Sequence, residues 1–232
     1  MKLRHAAPAL ALLTATACAP VQMRLPVTSP ERTEQAVLEG IGDDHHGEFT
    51  LAEYDGSFVR GAGYRWFGNG IGEAVQLDGG AAFIVRGGEI RGELSAECRS
   101  SATDVGTGAI TIRTRGMAYR CRYARDREPI AARLVLDERG ALMREERRGH
   151  IDLEGVRIDL RSEHRLAGSG LPMAMPLGYV FSIGGDVIGG VDLNGRSKRV
   201  LLPRDPALRE AAVAAALSLA LFIDAEIGEM SE

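Results

Sequence analysis

The run Ala211-Ala-Val-Ala-Ala-Ala-Leu-Ser-Leu-Ala-Leu-Phe-Ile223 limits what this chain can fold into more than any other stretch. Twelve of its thirteen residues are apolar and the exception, Ser218, is small, while Arg209, Glu210, Asp224 and Glu226 bracket it. A helix that is apolar on every side cannot rest on a wet surface, so the rest of the chain must wrap it. Asp205-Pro206 supplies an N-cap and a first-turn proline, and Gly228 a stop, which predicts a helix over 206–227. Six alanines, Ala211, Ala212, Ala214, Ala215, Ala216 and Ala220, keep it slim enough to thread an enclosure. Two other placements compete. As a membrane tail, the apolar run would reach only about 20 Å into a hydrocarbon core of about 30 Å. As a lid across an open half-barrel, it would keep a polar stripe that this run lacks.

The wrapping comes from what precedes. Residues 48–54 alternate apolar and polar, Asp55-Gly56 marks a turn, and strands follow over 57–67, 73–77 and 81–85. Gly87-Gly88 is a hairpin signal. The return strand puts Ile90, Gly92, Leu94, Ala96 and Cys98 on one face and Arg91, Glu93, Ser95, Glu97 and Arg99 on the other. Residues 100–108, rich in Ser, Thr and Gly, read as a flexible loop. Further strands are predicted over 110–115, 117–123, 130–136, 141–146, 150–153, 156–166, 177–183, 187–193 and 198–202, with Asn194-Gly195 as a type I′ turn. One buried and one wet face per strand means an antiparallel sheet. A meander of about twelve strands can close into a barrel wide enough to hold more than side chains. The expected fold is therefore mainly β: an antiparallel, roughly twelve-stranded closed barrel around a hydrophobic C-terminal helix, in one domain over 37–228.

In these features the chain resembles the tubby C-terminal-like superfamily, which includes LURP-one-related and phospholipid-scramblase-like proteins. The resemblance rests on the hairpin over 187–202, on Asp205-Pro206, and on the run ending Ala220-Leu-Phe-Ile-Asp224. It implies a twelve-stranded barrel around a hydrophobic C-terminal helix. Neither the basic phosphoinositide site of the tubby proteins nor the acidic calcium segment of the scramblases has an equivalent here, so no functional residue is carried over.

The N-terminus gives an address. Lys2 and Arg4 precede an apolar stretch over 6–16 without acidic residues, and Ala15-Thr16-Ala17-Cys18 has the small residues of a secretory cleavage site. A site that ends in Cys resembles the lipobox of bacterial lipoproteins, although Ala15 stands where that box usually has Leu. The resemblance implies a signal peptide over 1–17, lipidation at Cys18, and a membrane partner reached through that lipid. By the same resemblance, Ala19 rather than Asp after the Cys implies the periplasmic face of the outer membrane of a Gram-negative-type bacterium. An ordinary signal peptide that happens to contain Cys18 is the competing reading. Residues 18–36, with Pro20, Pro26 and Pro30, read as lipidated N-terminus and extended tether. Losing Lys2 and Arg4 leaves 28 − 2 = 26 basic against 32 acidic residues, a net charge of −6, which argues against a nucleic-acid partner. With Cys18 lipidated, Cys98 and Cys121 remain as one pair in an oxidising compartment, where a disulfide is expected over two free thiols.

Candidate sites are sparse. Asp43-Asp44-His45-His46 is the densest set of potential metal ligands, and the competing reading is a solvated turn, which is favoured because adjacent histidines point apart on most backbones. Arg144, Arg147, Arg148, Arg157, Arg161 and Arg165 form a basic stripe interleaved with acids. It is either a solvated wall or an anion and lipid-headgroup site, for which Arg144, Arg147, Arg148, Arg161 and Arg165 are the candidates. His164 shares parity with Val156, Ile158 and Leu160, so it faces inward, with a His150 pair as the sharper alternative. Tyr64-Arg65-Trp66-Phe67 is core if buried, and a lipid or partner contact if exposed. No GxxxxGK[ST], GxGxxG or serine elbow is present, so no nucleotide or other cofactor is called for. These patterns favour a non-catalytic envelope lipoprotein that binds or scaffolds, with lipid headgroups or an envelope protein as partner. The alternative is a carrier or assembly factor that holds an acyl chain under a helical lid.

Overall fold

Alternation of apolar and polar side chains fixes the inner face of each strand, and turn glycines fix where the chain reverses. The computed structural model describes residues 22–25, 30–68, 73–107, 110–140, 144–195 and 197–222, without the side chains of 63–68, 73–77, 103–107 and 110–115. The expectations for Cys18, for the signal peptide and for the Tyr64–Phe67 side chains therefore lie outside the described residues.

Twelve strands precede one helix: β1 (Thr33–Glu39), β2 (His46–Leu51), β3 (Tyr54–Gly68), β4 (Glu73–Gly87), β5 (Leu94–Thr107), β6 (Ile110–Arg125), β7 (Glu128–Glu138), β8 (Arg147–Leu153), β9 (Val156–Glu163), β10 (Gly178–Ile183), β11 (Asp186–Asp192), β12 (Lys198–Pro203) and α1 (Pro206–Ala220). Each strand pairs antiparallel with its sequence neighbours, and β1 pairs with β12 from Thr33↔Pro203 to Leu38↔Lys198, so the barrel is closed. Closure sets aside the open half-barrel, and no helix among the described residues is long and apolar enough to cross a membrane. The helix enters from the β12 end and runs up the axis. We call its two ends the entry rim and the exit rim.

From Ala211 to Leu221 every helix residue is at most 3 % exposed. Around it pack Phe49, Leu51, Phe83, Leu134, Ile151, Phe181 and Val200 from strands on all sides. Ser218, the one polar residue of the run, answers two interior tyrosines. Its hydroxyl lies 2.8 Å from Tyr123 Oη, and its carbonyl accepts from Tyr119 Oη at 2.8 Å. Asp205 caps the helix by accepting the Ala207 N–H at 3.0 Å. Cys98 and Cys121 sit directly opposite each other on β5 and β6 and form a disulfide.

Several boundaries differ from expectation. The helix ends at Ala220, with Leu221 as its C-cap. The β2–β3 turn falls at Ala52-Glu53, where Ala52 has φ +53°, rather than at Asp55-Gly56. Gly56 instead lies within β3, where a Cβ would meet the Ile84 carbonyl oxygen at 2.0 Å. Residues 100–107 are not a loop but the second half of β5, paired in register with β4. β5 starts at Leu94 rather than Ile90, and the β11–β12 connection spans 193–197 instead of a two-residue turn. β1 starts at Thr33 and Met23 is buried, so the stretch read as tether contributes to the barrel. Gly178 makes room for it: a Cβ there would stand 2.7 Å from the Met23 sulfur.

Candidate functional site

Helix ends leave orphan backbone groups and a partial charge, so each rim needs polar chemistry. At the entry rim Arg209, in the first turns of α1, is buried. It donates to Glu53 at 2.9 and 3.1 Å, to Tyr54 Oη at 3.2 Å, to the Pro203 carbonyl at 3.1 Å and to Glu34 at 3.3 Å. Burial, followed by a hydrogen bond to Glu89, pushes the Tyr54 hydroxyl well above its ordinary pKa. Beside it Arg125 bridges Glu210 at 2.7 Å and Glu154 at 2.9 Å. These pairs lock the helix into the barrel. Sequence alone does not disclose them, since Arg209 and Glu53 lie 156 residues apart.

The exit rim differs. Arg147 is buried rather than on the outer stripe. Its guanidinium stacks 5.1 Å above the Phe222 ring and pairs with Glu145 at 2.8 Å, a cation next to the negative end of the helix. Its backbone N–H donates to Ser162 Oγ at 2.9 Å, Ser162 Oγ meets His164 Nε2 at 3.0 Å, and His164 Nδ1 meets the Met173 carbonyl at 3.1 Å. A carbonyl can only accept, so the ring is protonated at Nδ1 and accepts from Ser162 at Nε2. Burial lowers the His164 pKa below its ordinary 6.5 and keeps the ring neutral. Ser162 and His164 have the spacing of a nucleophile and its base. The serine oxygen also accepts the Arg147 N–H, and with the His164 contact to Met173 the pair ties the 164–177 segment to β8. His150 is not its partner; His150 Nε2 lies 3.3 Å from Asp152.

The other four candidate arginines converge around this link. Arg144, Arg148, Arg161 and Arg165 line a hollow of about 280 Å³ with Glu146, Glu163 and Pro172, and Ser162 and His164 line the same hollow. Arg148 and Arg161 are direct cross-strand partners on β8 and β9, a like-charge pairing that costs stability, and Glu146, which pairs with Arg144 and lies 3.4 Å from Arg148, offsets part of it. Burial acts to raise the Glu163 pKa. The side chain and backbone N–H of Arg165 and the backbone N–H of His164 outweigh it, and hold the carboxylate at about 2. Among the described residues Arg161 has no ion-pair partner. In the ring β6 stands two strands from β8, and β3–β6, of 14 to 16 residues each, extend past the exit rim.

Asp43, Asp44, His45 and His46 are all exposed and lie between β1 and the start of β2. The loop oxygens are turned to fixed cations: Arg60 donates to the Gly42 and Asp44 carbonyls, and Lys198 to the Ile41 carbonyl at 3.0 Å. Among the described residues no group of three His, Cys, Asp or Glu side chains is placed to hold a metal ion.

Comparison with protein-family models, with curated proteins and with solved structures finds no match in any of the three.

Proposed function

We propose that this chain is a cell-envelope lipoprotein, anchored through Cys18 on the periplasmic face of the outer membrane. It works there as a non-catalytic binding or scaffolding module at lipid headgroups. The observation that carries this reading is the filled interior: each residue from Ala211 to Leu221 is at most 3 % exposed inside a closed ring of strands. The protein's own helix occupies the volume that an acyl chain or a substrate would need, which favours a role on the rims and the outer wall. The Cys98–Cys121 disulfide is in keeping with an oxidising compartment. The arginines around the exit-rim hollow supply the anion-facing chemistry.

The test is incorporation of radiolabelled palmitate in bacteria that make the full chain. Wild type is expected to label, and Cys18→Ser to lose the label and leave the membrane fraction. Absence of label on the wild type, or equal label on both, would refute the assignment.

A further inference from the structure

Soluble proteins rarely leave large apolar side chains gathered in water without a use for them. Among the described residues five such side chains stay exposed. Three of them, Leu171 at 78 %, Met173 at 46 % and Met175 at 40 %, fall within one five-residue segment of the β9–β10 connection. This segment is held in place. The Met173 N–H donates to the His164 carbonyl at 2.8 Å, the Glu145 N–H to the Ala174 carbonyl at 3.1 Å, and the Leu177 N–H to the Glu163 carbonyl at 2.8 Å. The backbone has its partners, and the apolar side chains project from it into solvent.

Two neighbours point to what covers them. Pro172 of the same segment lines the hollow that holds Arg144, Arg148, Arg161 and Arg165, so a basic surface adjoins the apolar one. The start of the described chain is fixed at the same rim. Met23 is buried and bridges to Leu166, the Arg24 N–H donates to the Arg165 carbonyl at 2.8 Å, and Asp192 accepts the Met23 N–H at 3.1 Å. Cys18 stands five residues before Met23, which at full extension places it within about 18 Å of that point. An anchor so short leaves this corner of the barrel no room to turn far from the bilayer that holds it.

We propose that this corner of the exit rim is a membrane-docking face. Leu171, Met173 and Met175 enter the interface of an anionic phospholipid surface, and Arg148 and Arg161, flanked by Arg144 and Arg165, meet its phosphates. Apolar side chains beside arginines match the two layers of such an interface, hydrocarbon below and phosphate above. The proposal rests on the lipoprotein reading for the position of the anchor, but its test does not need the anchor.

The described strand pairings, the buried core and the helix all fall within residues 22–222, so a chain from residue 19 carries this fold without Cys18. That chain is floated with vesicles of phosphatidylglycerol and phosphatidylethanolamine, and separately with phosphatidylcholine alone. Wild type is expected to float with the anionic vesicles, and less so in 1 M salt, on the order of the screening at that ionic strength. Leu171→Asp with Met173→Asp should cut the bound fraction at least about tenfold at unchanged melting temperature, because charge is brought to the interface. Arg148→Glu with Arg161→Glu should erase the preference for anionic over neutral vesicles. Wild type that floats with neither vesicle, as a surface built for a protein partner would do, overturns the proposal; so does an apolar-segment variant that floats like wild type. Flotation without palmitate at Cys18 sinks the lipoprotein reading and leaves the docking face standing. Label without flotation does the reverse.

Discussion

Replacement of Arg209 by methionine removes the charge that fastens α1 to the entry rim while keeping most of the aliphatic stem. The side chain is 5 % exposed and donates to Glu53, Glu34, Tyr54 and the Pro203 carbonyl. Breaking a buried ion pair costs about 3–5 kcal/mol when the remaining charge stays buried. Here Glu53 and Glu34 are 41 % and 35 % exposed and can rehydrate, which reduces the cost. A loss of about 2–3 kcal/mol is expected, most of it from the stranded carbonyl and the lost charged hydrogen bonds. Urea unfolding with the disulfide intact would measure it; for a domain of this size it corresponds to a fall of about 4–12 °C in melting temperature. Glu53→Gln should then cost about 1 kcal/mol in wild type and close to nothing in the Arg209→Met background, because the partner has gone. Arg209→Met within about 0.5 kcal/mol of wild type, or Glu53→Gln equally costly in both backgrounds, would refute the lock.

Ser218→Ala strands the Tyr123 hydroxyl in the core and should cost about 1–3 kcal/mol by denaturant unfolding. Adding Tyr123→Phe should recover most of that, and a double variant no better than the single one would contradict the pairing. For pH, His164 is held neutral by burial, so its folded pKa lies below the unfolded value near 6.5. The unfolded chain takes up the proton more readily, so this contribution is full above that value and is lost as pH falls through the folded pKa. The denaturation midpoint should therefore drop from pH 7.5 to pH 5, before Glu163 begins to titrate, and His164→Gln should flatten the slope. A midpoint that rises on acidification would contradict the neutral ring.

The sequence disclosed what depends on local periodicity. An apolar run with no polar side has to be enclosed, and alternation over β7 to β9 gives the inner face residue by residue. Composition misled where a glycine or serine serves packing rather than reversal. Gly56 looked like a turn but allows β3 to pass close to β4, and the Ser/Thr/Gly stretch after Cys98 continues a strand because β4 supplies a matching edge. The candidate site was half legible. The arginine stripe was visible as a run of charges, but the hollow that Arg148 and Arg161 share with Arg144 and Arg165 is formed only once the 166–177 connection folds back. Arg147 and Arg209 were beyond reach because their roles depend on Phe222 and on Glu53 and Glu34, partners that only the closed barrel brings near. Leu171, Met173 and Met175 carry no periodic signal, and their exposure follows from backbone hydrogen bonds distant in sequence.

The central claim is that the helix fills the barrel and leaves the interior no cargo. Native mass spectrometry of the chain from residue 19, purified from bacterial membranes and cytosol without detergent, tests it most directly. The predicted mass is that of the bare polypeptide with one disulfide. A stoichiometric phospholipid or fatty acid that survives purification, and is lost only on unfolding, would contradict the filled barrel and favour a carrier.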